Sequence, residues 1–276
     1  MRARDIVRFA ISPQDFDIVR RSDSRRSRLS PGLRDPYSAY GVPELREAIS
    51  MVKGSGSTML SERRLLSLGQ IVQYLELKKI PGSLIECGVW KGGAAATMAA
   101  ANLAYGADRR NIHLFDSFTD IVEPDPEVDG ERAMYEVELL TGRSRASITG
   151  ALKPMTGVYN SHGGPGKPEA VKSLVCSVGY PESAVHLHVG YFQDTLCRFP
   201  RAEPIALLRI DADWFQSTKV CLDSLAGCLS PGGIIVVDDY GAYDGCAAAV
   251  NEFLAERGPT LVHWVDTECI YFIPEG

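Results

Sequence analysis

The segment that decides the fold is Ser83–Ala104, which reads SLIECGVWKGGAAATMAAANLA. It begins with a short apolar run that ends at Gly88, and two further glycines, Gly92 and Gly93, precede an alanine-rich stretch. This order predicts a strand, a glycine turn and a helix. Glycine also lets the backbone pass close to a ligand, because it has no Cβ and tolerates positive φ.

The same alternation continues on both sides of this segment. Further short apolar runs predict strands at Ile112–Phe115, Val185–Val189, Ile205–Ile210 and Ile234–Val237, and a terminal hairpin of Leu261–Val265 with Ile270–Ile273. Helical spacing of apolar residues predicts helices at Leu60–Lys79, Ser217–Cys228 and Ala247–Glu256. Strands separated by helices favour a parallel sheet covered on both faces. We therefore predict a doubly wound α/β fold with a seven-stranded, mostly parallel sheet that ends in an antiparallel hairpin.

The chain divides into two predicted parts. Residues 1–57 form an N-terminal arm and helical lead-in, and residues 58–276 form the domain itself. A run of basic residues in the first part, from Arg20 to Arg28, is typical of a solvated arm. Within the domain, residues 124–181 are rich in Gly, Pro, Ser and charge, and predict a loop-rich insertion. This insertion is either a surface feature without function or a cap over the substrate.

Composition excludes several classes of partner and cofactor. The formal charge of -6 offers no electrostatic footprint for nucleic acid. Seven cysteines, without a close pair, argue against a zinc site or a disulfide framework. No apolar stretch approaches the roughly 18 residues of a membrane helix, and the N-terminus lacks the apolar core of a secretory signal. We therefore expect a soluble cytoplasmic protein with no membrane partner.

Acidic side chains follow the predicted strands at the points where each strand ends. They are Glu86, Asp116, Asp211, Asp213, Asp238 and Asp239. Ligands of doubly wound sheets bind beyond this edge. Asp116 is either a ribose acceptor or a helix cap. The spacing G-x-G-x-x-G is absent, which weighs against a nicotinamide or flavin cofactor.

Five motifs in this order resemble the macrocin O-methyltransferase family. They are IPGSLIECGVWKGG at 80–93, LFDSF at 114–118, GYFQDTL at 190–196, LRIDADWFQST at 208–218 and LSPGG at 229–233, which leads to DDY at 238–240. The resemblance covers about residues 58–256. It implies a Rossmann-like class I methyltransferase fold, S-adenosylmethionine as methyl donor, magnesium as metal, and a hydroxyl of a natural product, often on a sugar, as acceptor.

The resemblance also implies roles for individual residues. The residues assigned to the donor are Thr58, Met59, Glu86, Gly88, Asp116, Ser117, Asp194 and Asp211. The residues assigned to the metal are Asp211, Asp238 and Asp239. Of the donor residues, Glu86 and Gly88 would contact the methionine end and Asp116 the ribose, with Thr58 and Met59 as a lid. Three carboxylates at adjacent strand ends also repel one another unless a cation separates them, and oxygen ligands favour magnesium or calcium over zinc.

Several questions stay open at this point. The base that takes the hydroxyl proton is Asp211 or Asp213, with His162 of the insertion as a further candidate. Departures from the family pattern, such as Ala212 where Gly is commoner and a longer segment at 141–180, concern the acceptor more than the reaction. Alternative readings are a methyltransferase of a phenolic or amino acceptor, a nicotinamide oxidoreductase and a noncatalytic binding protein. We also expect a homo-oligomer, because the apolar helix Leu60–Lys79 and the long N-terminal segment need a partner surface.

Overall fold

One seven-stranded sheet runs through the structure, a computed structural model that describes residues 43–274. Its strands are β1 (Ser83–Cys87), β2 (Ile112–Asp116), β3 (Val185–Val189), β4 (Ile205–Ile210), β5 (Leu229–Val237), β6 (Val262–Trp264) and β7 (Ile270–Phe272). They lie in the order β3-β2-β1-β4-β5-β7-β6. The first five strands pair in parallel, and β7 pairs antiparallel with both β5 and β6. The predicted sheet and its terminal antiparallel hairpin are confirmed.

Helices connect the strands. They are α1 (Pro43–Gly54), α2 (Glu62–Lys78), α3 (Gly93–Tyr105), α4 (Gly130–Thr141), α5 (Pro168–Ser177), α6 (Phe192–Thr195), α7 (Phe215–Leu225) and α8 (Asp244–Ala255). The predicted helices correspond to α2, α7 and α8, with ends displaced by one to three residues. At the start of α2 the Ser61 hydroxyl accepts a hydrogen bond from the Arg64 amide, and the helix ends where Lys79 adopts a left-handed φ of 55°.

The alanine-rich helix α3 packs against α1 and α2. Its small side chains from Ala94 to Ala101 are buried, which allows close approach of its neighbours. Leu45 of α1 lies directly over Gly69 of α2, where an added Cβ would come within 2.6 Å of it. The structure describes residues 43–57 of the lead-in, and their helix α1 packs on the domain. The boundary predicted at residue 57 stays a prediction.

The insertion at 124–181 holds more regular structure than the sequence indicated. It contains α4 and α5 as well as short 3₁₀ turns such as Asn160–His162. Around α4 it forms a small hydrophobic cluster of Ala133, Met134, Val137, Ile148, Met155 and Val158 with Trp214. The abundance of glycine, proline and charge hid the helical spacing of Ala133, Met134 and Val137. Describing this segment as loop-rich was therefore only partly right.

Two expectations concern the chain as a whole. Among residues 43–274, none of the helices is both long and apolar enough to cross a membrane. The basic run from Arg20 to Arg28, expected to form a solvated arm, lies outside the described residues.

Candidate active site

Two adjoining cavities open at the carboxyl edge of the sheet, beside the point where the chain order reverses between β1 and β4. The first has a volume of about 420 Å³ and lies over the ends of β1, β2, β3 and β4. The second, of about 250 Å³, lies between that edge and α4. Residues that line both cavities are Gly88, Trp90, Asp116, Ile121, Tyr159, Asp211, Asp213 and Trp214. The first volume is in the range of ligand-binding pockets, roughly 300–1,000 Å³.

The turn after β1 requires glycine. Gly88 has a φ of 86°, and a Cβ at this position would lie 1.7 Å from the backbone oxygen of Asp211. A side chain is excluded both by the backbone conformation and by the neighbouring strand end. The backbone of this turn therefore forms part of the floor shared by the two cavities.

Asp116, at the end of β2, holds this turn in place. Its Oδ2 accepts hydrogen bonds from the amides of Val89 (2.7 Å) and Trp90 (2.8 Å), and its Oδ1 accepts one from the amide of Phe118 (2.6 Å). A carboxylate offers about four acceptor positions, so one remains at Oδ1 for a ligand hydroxyl. The ribose contact expected of Asp116 is therefore restricted to that oxygen.

Backbone strain is concentrated at the same edge. The non-glycine residues Trp90, Phe118 and Asp213 have φ values of 48°, 55° and 60°. They follow β1, β2 and β4, respectively, and all three lie within two or three residues of a strand end. Left-handed backbone at such residues costs free energy and persists where surrounding contacts enforce it, which is common at functional sites.

A buried arginine neutralises part of the acidic cluster. Arg209 of β4 is 2% exposed, and it donates to Glu86 (2.6 Å), Asp211 (2.9 Å) and Asp238 (3.0 Å). One guanidinium faces three carboxyl groups here, and burial raises the pKa of Glu86 to about 8. The other oxygen of Glu86, Oε2, is buried without a hydrogen-bond partner. Arg209 was not identified from the sequence, although a charged residue inside a buried strand is a signal for an ion pair.

The three carboxylates predicted to hold a metal lie together. Asp211, Asp238 and Asp239 each present an oxygen, and these atoms lie within 4.8 Å of one another. Arg209 contacts Asp211 and Asp238, and Arg64 of α2 adds a second guanidinium at Asp238 (3.3 Å). The repulsion expected from the sequence is therefore partly relieved by the protein itself.

Asp239 experiences a different environment from the other two. Burial raises its pKa well above the usual range, and the charges of Asp213 and Asp211 raise it further. Oxygen atoms from separate strands, with a net negative charge left after the arginines, suit a hard divalent cation such as magnesium. The residues present thus fit the metal that the sequence resemblance implied.

Of the other predicted site residues, some line the cavities and some do not. Gly88, Asp116, Ser117, Asp211 and Asp213 line the first cavity, and Met59 and His162 line the second. Thr58 packs against the start of α3. A Cβ added to Gly93 would lie 2.6 Å from the Cβ of Thr58. Glu86 is buried beside Arg209 and does not line either of these two cavities. Asp194 lies exposed on α6, outside both linings.

Three aromatic residues that the sequence did not single out shape the second cavity. Trp90 packs against Tyr159 with ring centroids 6.1 Å apart, and its indole Nε1 is buried without a partner. Tyr243 donates a hydrogen bond to Glu136 of α4 (2.5 Å). Trp90 belongs to the glycine motif and could have been found there. Tyr159 and Tyr243 gave no signal, because they come from distant segments that only the fold brings together.

Sequence comparison with known proteins identifies the family of the chain. The sequence model of the macrocin-O-methyltransferase (TylF) family matches residues 42–143 and 168–273. The chain is 30% identical over 201 residues to 8-demethyl-8-(2,3-dimethoxy-alpha-L-rhamnosyl)-tetracenomycin-C 4'-O-methyltransferase of Streptomyces olivaceus, which covers 73% of this chain and 69% of that protein. It is also 30% identical over 199 residues to demethyldecarbamoylnovobiocin O-methyltransferase of Streptomyces niveus, with 72% and 68% covered.

A solved structure agrees with the observed fold. The O-methyltransferase NovP superposes with a TM-score of 0.65 and 24% identity, over 83% of this chain and 97% of NovP. The doubly wound sheet with its antiparallel terminal strands is therefore the class I methyltransferase fold. From the extent of the family match and of both relatives, the chain belongs to the macrocin-O-methyltransferase (TylF) family of S-adenosylmethionine-dependent methyltransferases.

Proposed function

We propose that this protein transfers the methyl group of S-adenosylmethionine to a hydroxyl of a natural-product glycoside, with a magnesium ion held by Asp211, Asp238 and Asp239. The observation that carries the proposal is the convergence of these carboxylates beside a cavity of nucleoside-binding size. The two relatives are named as methyltransferases of antibiotic-type molecules, one of them a rhamnosyl derivative, which supports a glycosylated acceptor.

The first cavity suits the donor. Gly88 provides close backbone approach, and the free acceptor position on Asp116 Oδ1 suits a ribose hydroxyl. Ser117 and the residues that follow β3, Tyr191 and Phe192, line the remaining wall. The side chain of Glu86 is buried beside Arg209 and closed off from the cavity. Glu86 would therefore influence the methionine end of the donor only indirectly, through Arg209 and the turn after β1.

The acidic cluster suits a metal beside the acceptor oxygen. S-adenosylmethionine would supply an electrophilic methyl carbon, and a magnesium ion held by Asp211, Asp238 and Asp239 would lower the pKa of the acceptor hydroxyl. Arg209 holds Asp211 and Asp238 at fixed positions, and Arg64 ties Asp238 to α2. The ligand oxygens are thereby oriented by charged hydrogen bonds of the kind that tune metal sites.

Asp213 is the better candidate for the base that takes the hydroxyl proton. Arg209 donates a hydrogen bond to Asp211 (2.9 Å), and Asp211 is also one of the three carboxylates that could hold the metal. The charged groups that act most strongly on Asp213 are themselves carboxylates, Asp211 and Glu136 among them, and Asp213 lines both cavities. Asp213 therefore receives the proton, and Asp211 serves the metal.

The test combines donor binding with product analysis. Calorimetry of the full chain with S-adenosylmethionine should show one site, and the protein with magnesium should add one methyl group to desmethyl glycosides such as the 2,3-dimethoxy-rhamnosyl tetracenomycin and demethyldecarbamoylnovobiocin acceptors. Mass spectrometry of the product locates the methyl group, and a methylated phenol or amine would replace the proposed hydroxyl acceptor. Absence of donor binding would contradict the proposal. The expected cytoplasmic location and homo-oligomeric state remain predictions, the second open to gel filtration.

A further inference from the structure

One hydrogen-bonded polar pair lies in an otherwise apolar row across the middle of the sheet. Glu86 of β1 and Arg209 of β4 are register partners, and they are 1% and 2% exposed. The residues beside them in the same row are Leu114 of β2 and Val236 of β5, which are also buried. A buried polar pair in such surroundings adds little stability over apolar side chains of similar shape. Stability alone therefore does not account for this pair.

The guanidinium of Arg209 has two ends with different partners. Its Nη1 donates to Oε1 of Glu86 (2.6 Å). Its Nη2 donates both to Oδ2 of Asp211 (2.9 Å) and to Oδ2 of Asp238 (3.0 Å). Because the guanidinium is planar and rigid, the position of Nη1 fixes that of Nη2. Glu86 thus determines where the nitrogen that joins Asp211 and Asp238 lies.

This arrangement suits carboxylates that also bind a cation. Both aspartates are held by Arg209 through their Oδ2 atoms, and Arg64 contacts Oδ2 of Asp238 as well (3.3 Å). A carboxylate has two oxygens, so one that is held by Oδ2 can offer Oδ1 to a metal. Each of the two, together with Asp239, presents an oxygen within 4.8 Å of the others. The guanidinium therefore sets the orientation of two of the three candidate ligands.

Glu86 has no comparable route to the methyl donor. It lines neither of the two cavities, whereas Gly88, two residues further along the chain, lines both. The second oxygen of Glu86, Oε2, is enclosed and has no hydrogen-bond partner. No ligand group can touch this oxygen in the observed arrangement, and Oε1 is taken by Arg209. The direct contact with the methionine end that the sequence resemblance implied is therefore not available to Glu86.

We propose that Glu86 is a positioning residue of the metal centre rather than a contact of the donor. It orients the guanidinium of Arg209, which in turn sets the spacing of the carboxylates of Asp211 and Asp238. This inference rests on the proposed function, in which these carboxylates hold a divalent cation. Outer hydrogen-bond partners of this kind orient metal ligands, and their loss weakens metal binding by about tenfold to a hundredfold.

The test compares Glu86→Gln with Glu86→Leu in the full chain. Both new side chains are uncharged, but only glutamine can accept the hydrogen bond from Arg209. Mn²⁺ affinity is measured from the paramagnetic resonance signal of the ion, and S-adenosylmethionine affinity is measured separately by calorimetry without metal. Glu86→Gln should bind Mn²⁺ as tightly as wild type. Glu86→Leu should bind it about tenfold to a hundredfold more weakly, with unchanged affinity for S-adenosylmethionine.

The matched control is Glu76→Leu. Glu76 also pairs with a largely buried arginine, Arg110. This second pair lies at the opposite edge of the sheet, where Arg110 donates to the backbone oxygens of Ile80 and Gly82 just before β1. The control therefore breaks a similar pair far from the candidate metal ligands. It should leave the affinity for Mn²⁺ unchanged.

Arg209→Lys tests the other end of the pair and does not depend on the folding of Glu86→Leu. Lysine keeps the positive charge but replaces the rigid fork by a single nitrogen on a flexible chain. This variant should also weaken Mn²⁺ binding by about tenfold or more. Wild-type affinity for S-adenosylmethionine in the same preparation shows that each variant is folded.

The outcomes separate this inference from the proposed function. Equal Mn²⁺ affinity in wild type and in Glu86→Leu or Arg209→Lys would overturn the positioning role. An equal loss in Glu86→Gln and Glu86→Leu would also overturn it, because the hydrogen-bond acceptor would then not matter. Loss of S-adenosylmethionine affinity with Mn²⁺ binding intact would return Glu86 to the donor. Failure of the wild-type chain to bind Mn²⁺ would instead contradict the metal in the proposed function.

Discussion

The buried pairing of Glu86 with Arg209 predicts that the protein loses stability as the pH rises. Burial raises the pKa of Glu86 to about 8, so the folded protein holds a proton on this side chain at neutral pH. The unfolded chain does not, because the pKa of a free glutamate is about 4.3. A carboxyl group whose pKa is raised by folding contributes its full stability at a pH below the pKa of the unfolded chain. This contribution is lost as the pH rises through the pKa of the folded protein.

The substitution Glu86→Gln reproduces the protonated side chain. Its amide oxygen can accept from Arg209 as Oε1 does at 2.6 Å, and its amide nitrogen takes the place of Oε2, which has no partner. The shift from 4.5 to about 8 corresponds to about 1.4 kcal/mol per pKa unit. The variant should therefore gain up to about 5 kcal/mol over wild type between about pH 5 and about pH 9.

Urea unfolding across this pH range measures the effect. The matched control is Glu256→Gln, whose side chain is 74% exposed, and its difference from wild type should stay nearly constant. Wild type and Glu86→Gln should be close in stability at the acidic end and diverge as the pH increases. A stability difference that does not change with pH would refute the assignment of a proton to buried Glu86.

Three further predictions concern the turn, the base and the edge of the sheet. Gly88→Ala should lower the free energy of unfolding by about 3 kcal/mol or more, because the added Cβ meets the backbone of Asp211. Gly54→Ala, with open space around it, should leave this free energy unchanged, and urea unfolding compares the two variants. Asp213→Asn should reduce kcat about a hundredfold or more with unchanged donor affinity, measured by initial rates and calorimetry; an unchanged kcat would exclude Asp213 as the base. Burial lowers the pKa of His188 from 6.5 to about 4, so wild type should lose stability as the pH falls through this interval, and His188→Gln should lose less in acid unfolding; equal acid sensitivity would contradict this.

Much of the sheet could be predicted because most of its strands are short runs rich in apolar residues that end at a glycine or an acidic residue. β3 and β4 were predicted to the residue, since each is a short run rich in apolar residues that stops at Gly190 or Asp211. The acids at the strand ends then had to share one edge, because parallel strands end on the same side of a sheet. The convergence of Asp211, Asp238 and Asp239 follows from that rule and from the order of the strands.

The contacts that tune the site could not be predicted in the same way. Arg209 was visible as a charge within an apolar run, but its three partners come from β1, β4 and β5 and depend on strand order. Asp116 was expected to bind a ribose, but in the structure its oxygens also accept hydrogen bonds from three backbone amides. Tyr159 reaches the site only through the fold of the insertion, whose local sequence resembles an ordinary loop.

The central claim is that carboxylates from separate strands hold a divalent cation beside the methyl donor. Titration of the full chain with Mn²⁺, followed by its paramagnetic resonance signal, tests this without an acceptor. The account predicts one bound ion per chain in the wild type, and a loss of that binding in Asp239→Asn with the fold retained. Absence of ion binding in the wild type, or equal binding in the variant, would contradict it.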